Sequence, residues 1–519
     1  MKFKYSPLLA LFAILMLVLS ACGGTTAPAE APTAAPAAGG AAAPTAAPAA
    51  EAPTAAPAAE APTAAEAPTA APAAGAAAAP TAAIEFQQEA QAGQKTIVWM
   101  VRQGPVENPW ERDIVMPAWQ KAHPDIFVKI LNIRQDDIAV KREAMIAAGE
   151  QLDVWSTNWG GDGFASDRAR GLITDLTPLI DRDKYDLSDF IPDVLKIYQS
   201  EGKQWGIPFL TTGSYIYYNQ KLFKDAGIEF PTTDWDDQSW TWDKYVEIAK
   251  KLTKNVDDPN KAIYGASYSV LNLEGPPMLF GQFVWPQDAY TTGYADKVTV
   301  TDEKSIKAYQ AFHDLVYKDK VAPDPATNTA LDQLGGAFQS GRMAMVMSGG
   351  WGHWSFKGLI DDPKGFCWGV APMPWGSPDA KTRTVIYTDP WVITKGLKPE
   401  EQDQAWEFIK FLASPEQAAA YTKATGTPPT RSSLLADYYK SYSKCMAPEK
   451  MKQVFEGAFS HGRESSNHLL VKWDSLSQAW TNILDPFWSD PEAKAADVLP
   501  QVEAAVNDEL TKINAEKTK

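Results

Sequence analysis

The sequence predicts an α/β protein of two lobes, held outside the cytoplasm on a long flexible stalk. Three observations predict it. From Thr96 onward, apolar runs of strand length alternate with amphipathic helical stretches. The region with this pattern, about 425 residues from Lys95 to Lys519, is too long for one simple core. What precedes it has the composition of a leader and a linker, not of a fold.

The leader spans residues 1–21. Lys2 and Lys4 precede an apolar run of about a dozen residues, which ends in the small residues Ser20 and Ala21. The Leu19-Ser20-Ala21-Cys22 ending resembles the lipobox of bacterial lipoproteins, in which the chain is cut before the Cys and the thiol is lipidated. Cys22 is therefore the candidate lipidation site, and an ordinary signal peptide with an incidental Cys is the plainer alternative. Residues 22–85 continue as the candidate Cys and a linker, an Ala-Pro-Thr tract whose only charges from Gly23 to about Ala83 are Glu30, Glu51, Glu60 and Glu66. Such a tract has nothing large to bury against its chain entropy and is expected to be disordered. At ~3.1 Å per residue it would reach ~190 Å at most.

The folded region opens with a parallel-sheet pattern. Thr96 to Val101 reads as a buried strand, Trp110 to Ala122 as a helix and Ile126 to Leu131 as the next strand. Ile138 to Gly149 reads as a helix terminated by its glycine, Leu152 to Trp155 as a third strand, and Asp167 to Leu172 as a short helix. Alternation of this kind implies crossover connections, and ligands of such sheets lie beyond the carboxyl ends of the strands. The loops there are Arg102-Gln103-Gly104, Ile133 to Asp136 and Ser156 to Gly160.

A family resemblance becomes specific along the rest of the chain. Asp153-Val154-Trp155, Gly171 to Ile180, Gly206-Ile207-Pro208-Phe209 and Tyr217 to Ile228 occur in order. Trp240 to Thr253, Ala337 to Met345, Gly349-Gly350-Trp351, Gly369 to Pro374, Ala405 to Glu416 and Thr425 to Pro429 follow them. The ordered set resembles the maltose-type solute-binding proteins of ABC importers, extracellular solute-binding family 1, over nearly all of the chain after Lys95. The resemblance implies a periplasmic-binding-protein-like II fold: two lobes, each a mixed or parallel sheet flanked by helices, with a ligand cleft between them. It implies a first crossing near Phe209 to Gly213 and a second near Thr384 to Asp389. Lobe 1 would hold 95–208 and 389–424; lobe 2 would hold 213–383 and 430–519. Discontinuous lobes let the crossings bend while two rigid bodies close on a ligand.

The aromatic content points to ligand class. The chain has 19 Trp. An indole face covers the apolar C–H face of a pyranose, while Asp, Asn and Arg take its hydroxyls. Candidate ligand contacts are Trp351, Trp391, Asp389, Trp159, Asn158, Trp285, Tyr215, Arg102, Arg431 and Trp155. Trp351 follows two glycines, where a ligand can approach the backbone. Trp391 follows Tyr387-Thr388-Asp389-Pro390 at the second crossing, on the lobe opposite Trp351. Trp119, Trp406, Trp473 and Trp480 fall on amphipathic helices and read as core, Asp153 reads as scaffold, and Trp155 is compatible with core or cleft.

Other classes find little support. There is no His-Glu-x-x-His, nucleophile elbow or phosphate loop, and the 5 His show no metal-ligand spacing. No catalytic residue, metal or cofactor is expected. A net charge of −16 argues against nucleic acid. Cys367 and Cys445 fit either a disulfide of an oxidising compartment or two separate buried thiols. The expectation is a monomeric, membrane-anchored binding protein. It would capture a mono- or oligosaccharide by hinge closure and deliver it to permease subunits driven by a cytoplasmic ATPase. The alternatives are a polyamine, organic acid or phosphodiester binder on the same fold, a sensor subunit, and a surface glycoside hydrolase, which needs only two carboxylates across a cleft.

Overall fold

The structure is a computed structural model, and it describes residues 89–104, 107–267 and 272–517. Cys22 and the Ala-Pro-Thr tract lie outside the described residues. The strands are β1 (Lys95–Arg102), β2 (Ile126–Ile133), β3 (Val154–Trp155), β4 (Gln199–Ser200), β5 (Lys203–Gln204) and β6 (Ile207–Asn219). After them come β7 (Met345–Gly349), β8 (Trp368–Ala371), β9 (Thr384–Ile393) and β10 (Gly462–Glu464). The main sheet runs β2-β1-β3-β9-β6-β7, with β8 on β6 and β10 on β9; β4 and β5 form a separate hairpin.

The predicted amino-terminal elements form because their signals are local. β1 and β2 pair in parallel over eight residues, from Lys95↔Ile126 to Arg102↔Ile133, and β3 joins the other side of β1. The helix Ile138–Ala148 ends at Gly149, whose φ of 66° is the left-handed cap expected of that glycine. The short helix predicted at Asp167 to Leu172 lies instead at Phe164–Ala169, starting after extended Gly163. The predicted Trp110 helix starts earlier, at Glu107, and passes through a π turn at Glu111–Val115 before continuing as Met116–Ala122. Such turns often mark functional positions.

Three hydrophobic cores organise the chain. The first gathers β1, β2, β3, the start of β6, the end of β9 and the helix Pro399–Leu412 around Trp99, Trp119 and Trp406. The second gathers the far half of β6 with β7 and β8 around Tyr217, Trp368 and Phe356. The third packs helices Trp473–Ser489 and Ala495–Lys517 against Leu273, Trp285 and Tyr309. β6 and β9 pair antiparallel from Ile207↔Trp391 to Gly213↔Ile386. β6 thus contributes Ile207 and Leu210 to the first core and Tyr215 to Tyr218 to the second.

A disulfide joins Cys367, just before β8, to Cys445. Among the described residues no helix is long and apolar enough to cross a membrane.

Candidate ligand site

The site begins where β1 ends. Arg102 is the last residue of β1, and its Nε donates to Glu107 Oε1 at 2.7 Å. Glu107 is buried at the start of its helix, so the pair is shielded from water. The guanidinium lies over two indoles, 5.4 Å from the Trp159 ring centre and 4.6 Å from that of Trp354. Trp159 follows β3 and donates from Nε1 to Asp389 Oδ2 at 3.0 Å, which ties the loop to β9. Trp354 comes from the helix Trp351–Asp361. That helix buries Phe356 and Ile360 in the second core, yet Trp354 packs against the first. Arg102 therefore stands at a seam between the cores, gripped by one indole from each side.

The rest of the seam is aromatic and acidic. Trp351 meets Tyr387 edge to face at 4.9 Å. A Cβ on Gly349 would fall 2.1 Å from the Trp351 ring, and one on Gly350 would fall 1.5 Å from Thr212 Oγ1. Gly350 thus lets the helix start press onto β6, and Gly349 leaves room for the Trp351 ring. Glu111, one turn after Glu107, is buried and accepts from Asn108 Nδ2 at 2.9 Å. Burial, with Glu107 adding repulsion, pushes the Glu111 carboxyl up to about 8 against the pull of Asn108 and Arg102. Burial works against the charge of Arg102, but Glu107, Tyr421 and Asp389 outweigh it and the guanidinium is held above its ordinary value.

Of the residues predicted from sequence, Arg102, Trp159 and Asp389 meet at this seam, Trp159 as a buried member of the first core covered by the guanidinium, and Trp351 begins the helix that brings Trp354 there. Asn158 supports it: its Nδ2 donates to Tyr198 Oη at 3.0 Å and to the Thr388 carbonyl at 2.6 Å, and its Oδ1 accepts from Phe164 N. Five others are held in the interior. Trp391 is 1% exposed; Phe209 stacks on its face at 4.0 Å, and Trp99 and Trp159 meet it edge to face. It cannot offer a ring face opposite Trp351, as its place beside the crossing implied. Trp155 donates to Thr394 Oγ1 and lies under Arg142, inside the first core. Tyr215 accepts from Gly213 N and packs against Tyr217 and His353. Trp285 lies in the third core against Trp473 and Trp480. Arg431 is bound by the Ala413 carbonyl, Asp189 and Tyr185 and sits over Phe190, which fastens residues just past Thr430 to the first core.

Sequence reasoning missed Trp354, Glu107 and Glu111. Trp354 stands one turn after Trp351, a spacing that puts both on one side of the helix. Of the 19 Trp, only Trp205, Trp351, Trp354 and Trp488 keep partial exposure. Most of the indole content is scaffold. A separate open groove of about 1580 Å³ lies away from the seam, between Trp242, Phe280 and Trp375. Much of its charged rim is paired within itself, as Lys250–Asp319 and Lys318–Asp314, so it offers fewer free polar groups than its size suggests.

A family model described as bacterial extracellular solute-binding protein matches residues 104–419. The chain belongs to this family. Members are non-enzymatic components of solute transport. An arabinooligosaccharide-binding protein of Bacillus subtilis is 22% identical over 312 residues, 58% of this chain and 66% of that protein. An ABC substrate-binding protein of Listeria monocytogenes, solved with cycloalternan, superposes with a TM-score of 0.65 at 21% identity, covering 80% of this chain and 99% of that one. The UgpB protein of Mycobacterium tuberculosis, solved with glycerophosphocholine, superposes with a TM-score of 0.62 at 20% identity, covering 82% and 100%. At these identities the likeness shows the α/β periplasmic-binding-protein fold. One scaffold thus carries ligands as different as a cyclic sugar and a phosphodiester.

Proposed function

We propose that this chain captures an uncharged mono- or oligosaccharide at the seam between the first and second cores and presents it, unaltered, to the permease of an ABC importer. The observation that carries the reading is the composition of the seam. Indoles Trp159 and Trp354 flank Arg102 beside Asp389 and Glu107, Trp351 stands one turn before Trp354 on the same helix, and the one cation of this set is already engaged by Glu107. Indole faces match the C–H face of a sugar ring, and the carboxylates accept from its hydroxyls. A phosphodiester would meet two carboxylates and a guanidinium that is already paired, an arrangement that disfavours it.

In this reading the crossings near 209–213 and 384–389 are the hinge. Ligand favours the closed form only by the contacts it gains on both sides there. Cys22 carries the lipid, and the tract after it spaces the folded part from the membrane. Labelling with a fatty-acid analogue, lost in Cys22→Ser, tests that part; a labelled Cys22→Ser protein would contradict it.

The ligand class is tested by calorimetric titration with arabinotriose, maltotriose, cycloalternan and glycerophosphocholine. A neutral sugar is expected to bind, and Trp351→Ala is expected to weaken it about tenfold, roughly 1.4 kcal/mol, with folding retained. Binding of glycerophosphocholine alone would overturn the sugar reading.

A further inference from the structure

We propose that Trp354 and Trp159 are the two jaws of an indole clamp, and that Arg102 is a built-in competitor which a sugar ring must displace from it. The proposal rests on reading the seam as a sugar site, and it adds the residue that sets what enters.

Four observations converge. Trp354 leaves the core of its own helix neighbours to pack against the opposite core. Its Nε1 is buried without a hydrogen-bond partner among the described residues. An indole N–H in that state has lost its water without replacement, so it gains by donating to a ligand hydroxyl. Arg102 lies over both indoles, and its carboxylate partner Glu107 holds it from the side. Trp159 is fixed by its bond to Asp389, so that jaw does not move independently of β9.

A guanidinium is flat and weakly hydrated, and it stacks on indole faces. A pyranose uses the same faces through its C–H groups. The two therefore exclude each other between Trp159 and Trp354. The Arg102 contacts bridge the cores and favour a shut seam by themselves. Linkage then fixes the sign: removing a contact made only in the ligand-free protein strengthens ligand binding. Selectivity follows as well. A neutral flat-faced ring replaces the guanidinium stack, whereas an anionic ligand leaves Arg102 where it is and gains neither jaw.

The test uses the folded chain with Arg102→Met combined with Glu107→Gln, so that no buried carboxylate is stranded, and separately Trp354→Ala and Trp354→Phe. Small-angle scattering without sugar reads the clasp alone. The double variant and Trp354→Ala are expected to have a larger radius of gyration than wild type, and Trp354→Phe an intermediate one. In titrations with maltotriose and arabinotriose, whichever binds wild type, the double variant is expected to bind roughly 2- to 30-fold tighter, the range set by loss of a cation–π contact. Trp354→Ala is expected to bind at least tenfold weaker. Unchanged scattering in the double variant overturns the clasp. Weaker sugar binding by the double variant overturns the competition, because Arg102 would then be a direct hydroxyl donor. If no sugar in the panel binds wild type, the sugar reading fails, while scattering still decides the clasp.

Discussion

Glu111 shows how one residue can carry both burial and pH dependence. Its carboxyl is raised to about 8, with burial the leading cause. An acid whose folded value exceeds its unfolded one binds its proton more tightly in the folded state. Its stabilising contribution is therefore complete below about 4.5 and is lost as pH rises through about 8. Asp153, raised to about 6, and Asp167, raised to about 7, act in the same direction, again chiefly through burial. Melting temperature is expected to fall across pH 5 to 8. Glu111→Gln is expected to flatten that fall by up to ~1.4 kcal/mol per pH unit, the value for one proton. A pH profile identical to wild type would contradict the burial argument. At this scale the sequence was only partly legible. Arg102 and Trp159 could be picked out because they end or follow parallel strands, and Asp389 because the family motifs set it beside a crossing. Trp155, Trp285 and Tyr215 could not be told from them, because a ring turned inward and a ring turned outward leave the same letter in the chain.

Among the elements, the helix Trp351–Asp361 and the disulfide make the sharpest predictions. Gly350 lets that helix start against β6, where a methyl would overlap Thr212, and Gly349 makes room for the Trp351 ring. Gly350→Ala is expected to cost ~1–3 kcal/mol of stability and to weaken ligand binding by shifting Trp351 and Trp354 together. Equal ligand affinity in that variant would mean that the helix start does not position the site. The disulfide closes a span of 78 residues, Cys367 to Cys445. A loop of that length corresponds to ~4.5 kcal/mol of unfolded-state restriction. Cys367→Ser with Cys445→Ser is expected to lower the melting temperature in calorimetry, while ligand affinity changes little because the bridge lies outside the seam. Strands β1 to β3 and the helix Ile138–Ala148 were readable from short-range apolar pattern and a glycine stop. The helix Phe164–Ala169 was misplaced by three residues because its start is set by extended Gly163, a backbone state that composition does not encode.

At the scale of the molecule, the long antiparallel pairing of β6 with β9 links distant parts of the chain, Ile207 with Trp391 and Gly213 with Ile386. That register fixes which loops share the seam, and no local pattern contains it; the ordered family motifs pointed to two crossing segments but not to their pairing. It also explains why Trp354 was missed, since its contact with Arg102 spans some 250 residues and depends on how two cores meet. The measurement that tests the account most directly is intrinsic tryptophan fluorescence and melting temperature, followed during titration with neutral oligosaccharides and with glycerophosphocholine. A neutral sugar is expected to perturb the indole emission, to stabilise the fold by about 2.7 kcal/mol at a hundredfold excess over its dissociation constant, and to be recovered chemically unchanged. Stabilisation by the phosphodiester alone, or a sugar recovered cleaved, would contradict it.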